Sequence, residues 1–321
     1  MTLWLTLLSA LAFWWPWGAL DPFVAARPAV PWMIAVTMFL VGCLMRPREV
    51  DDLVRRWPVV LFGTGVQYTA MPLLGWLCAT SLPLSPELRL GVIVAACVPD
   101  AMASGAVTVI ARGNVSYSVS LTIGSTLLSP IVAPLAMRWA AGTTFPVDAG
   151  EVGMTLMLQV VGPVLAGHFI CRRLGESSRL ARWSSTSANL AILWIIAVVV
   201  GLNRARIGEL FGSGVRGEAV PLIAALLGLN LLGYVAGYAA GAAGRLDEPK
   251  RRALSISVGL QNAGLGTALI LTVFPDQPAA AIPTALYTFG SMWTGTLLAQ
   301  WWSRRPVVAP EPVALESGAE G

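Results

Sequence analysis

Charge is what this sequence has least of. Only 12% of its 321 residues are Asp, Glu, Lys or Arg, where an ordinary soluble domain carries about 25%, and 56% are hydrophobic. A chain this apolar cannot cover itself with polar surface, so a water-soluble globule is excluded and the missing charge implies lipid-facing surface. Lysine and histidine are reduced to one each, Lys250 and His168. The four cysteines, Cys43, Cys78, Cys97 and Cys171, all fall in apolar runs without Cys-x-x-Cys spacing, which argues against a disulfide framework or a transition-metal site and for packed thiols. The net charge of +4 does not point to nucleic acid, because the basic residues are scattered among loops between apolar runs. There is no phosphate loop and no nucleophile elbow, so no ATPase or hydrolase is indicated, and no enzyme is expected.

What the chain does have is apolar segments. Breaks at charged or Pro/Gly-rich positions leave ten, near 2–20, 29–45, 57–80, 88–111, 117–140, 150–171, 186–202, 219–242, 253–273 and 281–302. Most approach the roughly 20 residues that a bilayer requires. The first 20 residues hold no Lys or Arg, unlike the charged start of a cleavable signal, and read as a first membrane helix ending in Trp14, Trp15, Pro16 and Trp17. Fifteen of the 21 basic residues, among them Arg46, Arg55, Arg112, Arg172, Arg179, Lys250 and Arg304, follow the even-numbered segments or lie in the tail. Arg27, Arg89, Arg138, Arg204, Arg206 and Arg216 occupy the other side. The positive-inside bias therefore expects both termini in the cytoplasm. The one-lysine, Arg-rich composition suggests a bacterial inner membrane.

Ten helices with both ends on one side divide into two sets of five, and an odd number per set inverts the second. The expected organisation is residues 1–140 as the first repeat, 150–303 as the inverted second, and 304–321 as a disordered tail. The fourth and ninth segments each carry a break. Pro99 interrupts the first, and the run Ser257-Val258-Gly259-Leu260-Gln261-Asn262-Ala263-Gly264 interrupts the second with polar and small residues. Paired breaks at corresponding depth point to a binding site built from unwound backbone.

Of the 17 acidic residues, all but Asp100 fall in loops, helix ends or the tail. A carboxylate at that depth costs about 2.5 to 3.5 kcal/mol on insertion scales. Two readings stand: it handles a cation or proton, or it caps the half-helix after Pro99 near Ala103. Gln67, Gln261 and Asn262 offer side-chain amides. Ser118, Thr122, Ser125 and Ser129 share one helical face, either as ligands or as interhelical glue. His168 reads as a packing or topology residue, and Gly233, Gly237 and Gly241 as a close-packing ridge.

At these residues the chain resembles the bile acid:sodium symporter family. The resemblance runs through Gly91-Val92-Ile93, Pro99, Ala103-Ser104, Ala111-Arg112-Gly113-Asn114-Val115, Ser118, Thr122, Ser125-Thr126 and Ser129-Pro130, then Val258 to Leu265, and Gln67 with Met71-Pro72. It implies an all-α integral membrane fold of ten helices in two inverted repeats, with a core and a panel, and broken helices four and nine crossing in the core. It also implies two sodium sites: Ser104, Gly105, Ser118, Thr122 and Ser257 for one, Gln67, Ser257, Val258, Leu260 and Gln261 for the other. The family's shared glutamate is Ser257 here, its asparagine after Ala-Ser is Gly105, and its Pro-Gly-Gly-Thr is Pro99-Asp100-Ala101-Met102. Asp100 is thus expected to restore the lost negative charge from the opposing helix. The family's tenth-helix polar patch reads Gly290-Ser291-Met292-Trp293, giving a less polar cavity with Met102, Ala103, Asn262, Ser291 and Thr294 as candidate substrate contacts.

The expected function is a secondary transporter of organic anions, bile-acid-like or small carboxylates, working by alternating access. Its only coupling partner would be Na+ or H+, with no other cofactor, and its partners the anion and the lipid bilayer. Uncoupled transport stays open, as do a substrate-binding sensor without flux and, further off, a channel. Substrate, stoichiometry, direction and oligomeric state are not fixed by the sequence.

Overall fold

The computed structural model describes residues 2–16, 21–45, 47–142, 145–175, 179–212 and 217–305. Trp17, Arg46, Arg216 and the tail from Pro306 lie outside the described residues. Helices account for nearly all of the described chain, and no strand occurs among the described residues. In chain order they are α1 (Thr2–Phe13), α2 (Pro22–Ala25), α3 (Val30–Leu44), α4 (Pro47–Arg55), α5 (Trp57–Ser81), α6 (Pro86–Cys97), α7 (Ala103–Ile110) and α8 (Val115–Ala141). Then follow α9 (Ala149–Leu156), α10 (Gly162–Leu174), α11 (Arg179–Leu202), α12 (Arg204–Gly212), α13 (Ala219–Ala243), α14 (Glu248–Gly259), α15 (Ala263–Val273) and α16 (Ala281–Ser303). A π-helical turn, Met157–Val161, joins α9 to α10 into one rod.

Among the described residues, five stretches are long and apolar enough to cross a membrane: Pro22–Leu44, Val115–Ala141, Ala149–Leu174, Trp183–Leu202 and Ala219–Ala243. The chain is an integral membrane protein of all-α build. Of the other expected segments, the third and the tenth are the continuous helices α5 and α16. The first is described as a helix only to Phe13. The fourth and ninth are each two half-helices.

Local chemistry sets the boundaries. Pro86 and Glu87 open α6 in the first turn, where a missing N–H and a negative charge are both favourable. Asn114 caps α8 by accepting from Tyr117 N, and Asp247 caps α14 by accepting from Lys250 N. That second cap starts the ninth helix at Glu248, five residues before the apolar run suggests. The charged segments α4 and α12 were expected to be loops, yet both are short helices. α4 is tied to α8 where Ser116 Oγ donates to Asp52 Oδ2 at 2.5 Å.

Two groups of helices result. α3 packs between α10 and α11, and α1 lies against α11. In the second group α5, α8, α13 and α16 pack around the half-helices α6, α7, α14 and α15, and α15 meets α3 and α11 across the boundary. Gly233, Gly237 and Gly241 form the expected ridge: a Cβ on Gly237 would lie 2.8 Å from Leu254 O, and one on Gly241 3.3 Å from Arg251 Cα. The absence of side chains there lets α13 lie directly on α14. Arg252 closes one end of this group, its Nη1 donating to the terminal carbonyls of Ala111 at 3.0 Å and Trp302 at 3.2 Å. The four cysteines are buried free thiols, and His168 is buried in α10 beside the close approach of Gly42.

Candidate functional site

Each break has a stated cause. Pro99 cannot donate to the helix and forces the residue before it out of helical geometry, so Val98 is extended at φ −73°, ψ 159°. On the other side α14 stops at Gly259, Leu260 turns to φ −100°, ψ 88°, and Asn262 restarts the chain as the cap of α15, accepting from Leu265 N at 3.1 Å. The two breaks face each other. Ala101 N donates to Leu260 O and Asn262 N to Pro99 O, both at 2.8 Å, forming an isolated antiparallel bridge centred on Asp100 and Gln261. Each break satisfies polar backbone that the other has exposed, which is what makes interrupted helices tolerable away from water.

Asp100 is fully buried. Its Oδ2 accepts from Thr122 Oγ1 at 2.7 Å and from Ser104 Oγ at 3.1 Å. Its Oδ1 has no hydrogen-bond partner among the described residues, and none of their ion pairs involves Asp100. α7 carries no side-chain cap, so the carboxyl meets the hydroxyls of Thr122 and Ser104 rather than capping the backbone N–H groups at the start of α7. The hydroxyl chain continues from Ser104 to Ser118 at 3.3 Å, then to Thr108 at 3.3 Å and Ser257 at 3.4 Å. Asp100, Ser104, Ser118, Thr122 and Ser257 therefore form one cluster, with Gly105 beside it offering only backbone. An ionised carboxylate in such a place is costly unless a positive charge or a proton reaches it. The orphan oxygen and the surrounding hard oxygen donors fit a monovalent cation or a proton.

A second polar group lies on the other side of Ser257. Gln67 Nε2 donates to Gln261 Oε1 at 3.3 Å, and Gln261 Nε2 donates to Val258 O at 2.7 Å. The Leu260 carbonyl is the bridge acceptor from Ala101.

A cavity of about 350 Å³ lies over the crossing, between it and helices α3 and α11. Met102, Ala103, Asn262 and Ser291 line it, as the sequence suggested, and Ser185 and Asn189 of α11 join them without prior signal. Its described wall carries no Asp, Glu, Lys or Arg, and the first residues of α7 and α15, Ala103 and Ala263, both reach it. Thr294 is not on that wall: its hydroxyl donates to Asn230 Oδ1 at 2.5 Å. A smaller recess of about 110 Å³ shares Met38, Met102 and Asn262 with the cavity and is also lined by Thr122 and Glu49. Thr122 thus stands between that recess and Asp100.

The Sodium Bile acid symporter family matches residues 31–210, more than half of the chain. The chain belongs to this family. An uncharacterized sodium-dependent transporter of Bacillus subtilis (strain 168), YocS, is 29% identical over 303 residues, 94% of this chain and 90% of that protein. The probable chloroplastic sodium/metabolite cotransporter BASS1 of Arabidopsis thaliana is 31% identical over 274 residues, 84% of this chain and 66% of its own length. The human sodium/bile acid cotransporter 4 is 28% identical over 277 residues, 84% of this chain and 60% of its own length. The protein is a transporter and not an enzyme.

Sequence reasoning missed Thr108, Asn230, Tyr234 and Tyr287. Thr108 follows Ser104 by one helical turn and was findable by that spacing. Asn230 was findable as the amide one turn before the glycine ridge.

Proposed function

We propose that this protein is a secondary transporter of organic anions, bile-acid-like or small carboxylates, that works by alternating access in the inner membrane of a bacterium. In this reading ten membrane crossings form two inverted repeats, residues 1–140 and 150–303, with both termini cytoplasmic. The group around the crossing is the core, and α1, α3, α10 and α11 make up the panel that moves against it. The names of its relatives, sodium-dependent and bile acid or metabolite cotransporters, support Na+ as the coupling ion, with H+ the alternative that a carboxyl admits.

One observation carries the reading: a buried carboxyl with an unpartnered oxygen lies at a crossing of two broken helices, directly beneath a cavity. The anion's charged end is placed at the starts of α7 and α15, where backbone N–H groups and the helix dipoles favour negative charge. Met102, Ala103, Asn262 and Ser291 surround it, and Met38 and Ile192 receive its apolar body. An ionised Asp100 opposes such an anion, and a cation or proton on Asp100 removes the opposition. Cation and anion then favour each other's binding, which is the thermodynamic basis of cotransport.

The test is uptake into proteoliposomes of a radiolabelled bile acid and of a small monocarboxylate, with sodium or pH gradients and in counterflow. Gradient-driven uptake that Asp100→Asn abolishes is the expected result. Saturable binding without counterflow of any anion would replace the transporter by a sensor.

A further inference from the structure

We propose that the face where α7, α13 and α16 end and α14 begins is a docking surface for the headgroups of anionic phospholipids. Hydrogen bonds fix the parts of this face to one another. Asn114 N donates to Pro249 O at 2.9 Å, which seats the turn between α7 and α8 on the first turn of α14. Arg252 Nη1 donates to the carbonyls of Ala111 and Trp302, so Arg112 and Arg304, which follow those residues in the chain, are brought to the same end. Arg251 Nε donates to Leu246 O at 2.6 Å and draws in the turn between α13 and α14, which carries Arg245.

Charge on this face is one-sided. Lys250 and Arg252 are paired with Asp247 and Glu248. On the adjoining α4, Asp52 already accepts from Ser116 Oγ. Arg112, Arg245, Arg304 and Arg305 are exposed and Arg251 is half-buried, and none of the ion pairs among the described residues involves any of the five. Arginines gathered at a membrane surface attract anionic headgroups.

Two of these arginines stand where backbone geometry favours another residue. α7 and α13 finish in the same closure, in which an N–H reaches back five residues: Gly113 N to Thr108 O and Leu246 N to Gly241 O, each at 2.9 Å. The residue just before that N–H turns left-handed, a position that glycine usually fills. Here it is arginine both times, with φ 54° at Arg112 and 55° at Arg245. Such strain persists where a side chain is needed at one place.

The exposed face of α16 sets the depth. Trp293, Leu297 and Trp301 form an apolar stripe at four-residue spacing, and the Arg305 guanidinium lies 3.8 Å over the Trp301 ring at its end. Tryptophan at the end of a lipid-facing stripe marks the level where acyl chains give way to headgroups. A phosphodiester at that level meets guanidinium groups, which bind phosphate oxygens in pairs. A free anion gains nothing from the stripe, whereas a phospholipid lays its chains along it.

The experiment follows the melting temperature of the delipidated full chain in detergent while phosphatidylglycerol, phosphatidylcholine or inorganic phosphate is added at constant ionic strength. Phosphatidylglycerol alone should stabilise, and saturably. Each basic residue near a membrane surface contributes about fivefold in affinity, so the Arg112→Gly, Arg245→Gly double variant should need about thirtyfold more phosphatidylglycerol. Because glycine suits both backbone positions, that variant should melt no lower than the wild type without lipid. Arg138→Gln, at the far end of α8 and about 35 Å from Arg112, should leave the titration unchanged.

Equal stabilisation by phosphatidylcholine overturns the headgroup selectivity, and equal stabilisation by phosphate replaces the lipid with a free anion. A double variant that titrates like the wild type removes the two arginines from the surface. One that melts lower without lipid makes them structural, and the proposal falls.

Discussion

Asn230 and Tyr287 donate to the same oxygen, the Gly259 carbonyl, each at 2.8 Å. One lies in α13 and the other in α16, so the last carbonyl of α14 is held from two sides just before the chain breaks. Asn230 also accepts from Thr294, and Tyr234 OH donates to Ser291 O at 3.1 Å. This network fixes the floor of the cavity, and of its members only Ser291 lines it.

Replacing Asn230 by Ala should therefore destabilise the protein by about 1 to 2 kcal/mol, since the Thr294 hydroxyl loses a buried acceptor while Tyr287 still serves Gly259. Tyr287→Phe should cost a similar amount, and the double variant more than the sum, because only then is the carbonyl left bare. Thermal melts of the three purified variants check this, and simple additivity would mean that the two donors do not share a role.

Gly237→Ala is expected to cost about 1 to 3 kcal/mol, because the new methyl would lie 2.8 Å from both Leu254 O and Ser255 Cα and push α13 away from α14. Gly65→Ala provides the contrast. Nothing lies within 4 Å of a Cβ there, and alanine favours the helix, so stability should hold or rise. Melting temperatures that fall equally in both would refute the ridge as a packing device.

Outside the membrane-spanning stretches, Asp21 bonds to the Arg204 guanidinium. That bond holds the Asp21 carboxyl below its ordinary value of 3.8, aided by the backbone N–H groups of Phe23 and Val24 and opposed by desolvation. A depressed folded-state value stabilises the fold above the unfolded one, and the gain is lost as pH falls through the folded value. Stability attributable to this pair should thus be constant from pH 7 to about 5 and fall below about 4. Arg204→Gln should flatten that acid limb, as read from melting temperature against pH.

Ala106 lines the cavity from α7. Ala106→Trp should fill the space and reduce anion uptake at least tenfold, while stabilisation by the coupling ion stays intact because the Asp100 cluster lies on the buried side of the same helix. Loss of both together would show that the two sites are not separable in this way.

Much of the site was legible because it violates its surroundings. Pro99, Asp100, and the polar run from Ser257 to Asn262 interrupt apolar helices, and the hydroxyls of α8 recur on one face. Such anomalies are visible without coordinates. The meeting of Gln67 with Gln261 was implied by the family resemblance alone, and the turning of Thr294 toward Asn230 was not visible, because both depend on how separate helices pack. The helices α4 and α12 escaped for another reason: their charge marks them as loops to a reading based on apolar length. The π-helical turn at Met157–Val161 has no signature in residue type, and α1 shows a described helix much shorter than the apolar run from which it was expected.

The hydrogen bonds from Ala101 to Leu260 and from Asn262 to Pro99 tie four half-helices into one floor. A ligand confined to Ala103 and Asn262 meets the same surroundings wherever α3 and α11 stand. In the alternating-access cycle proposed above, a longer one that also touches Met38 and Ile192 would bind best at one separation of the two groups and arrest the protein there. Reach, more than charge, then decides which inhibitors trap the protein in one state and which only compete with its cargo.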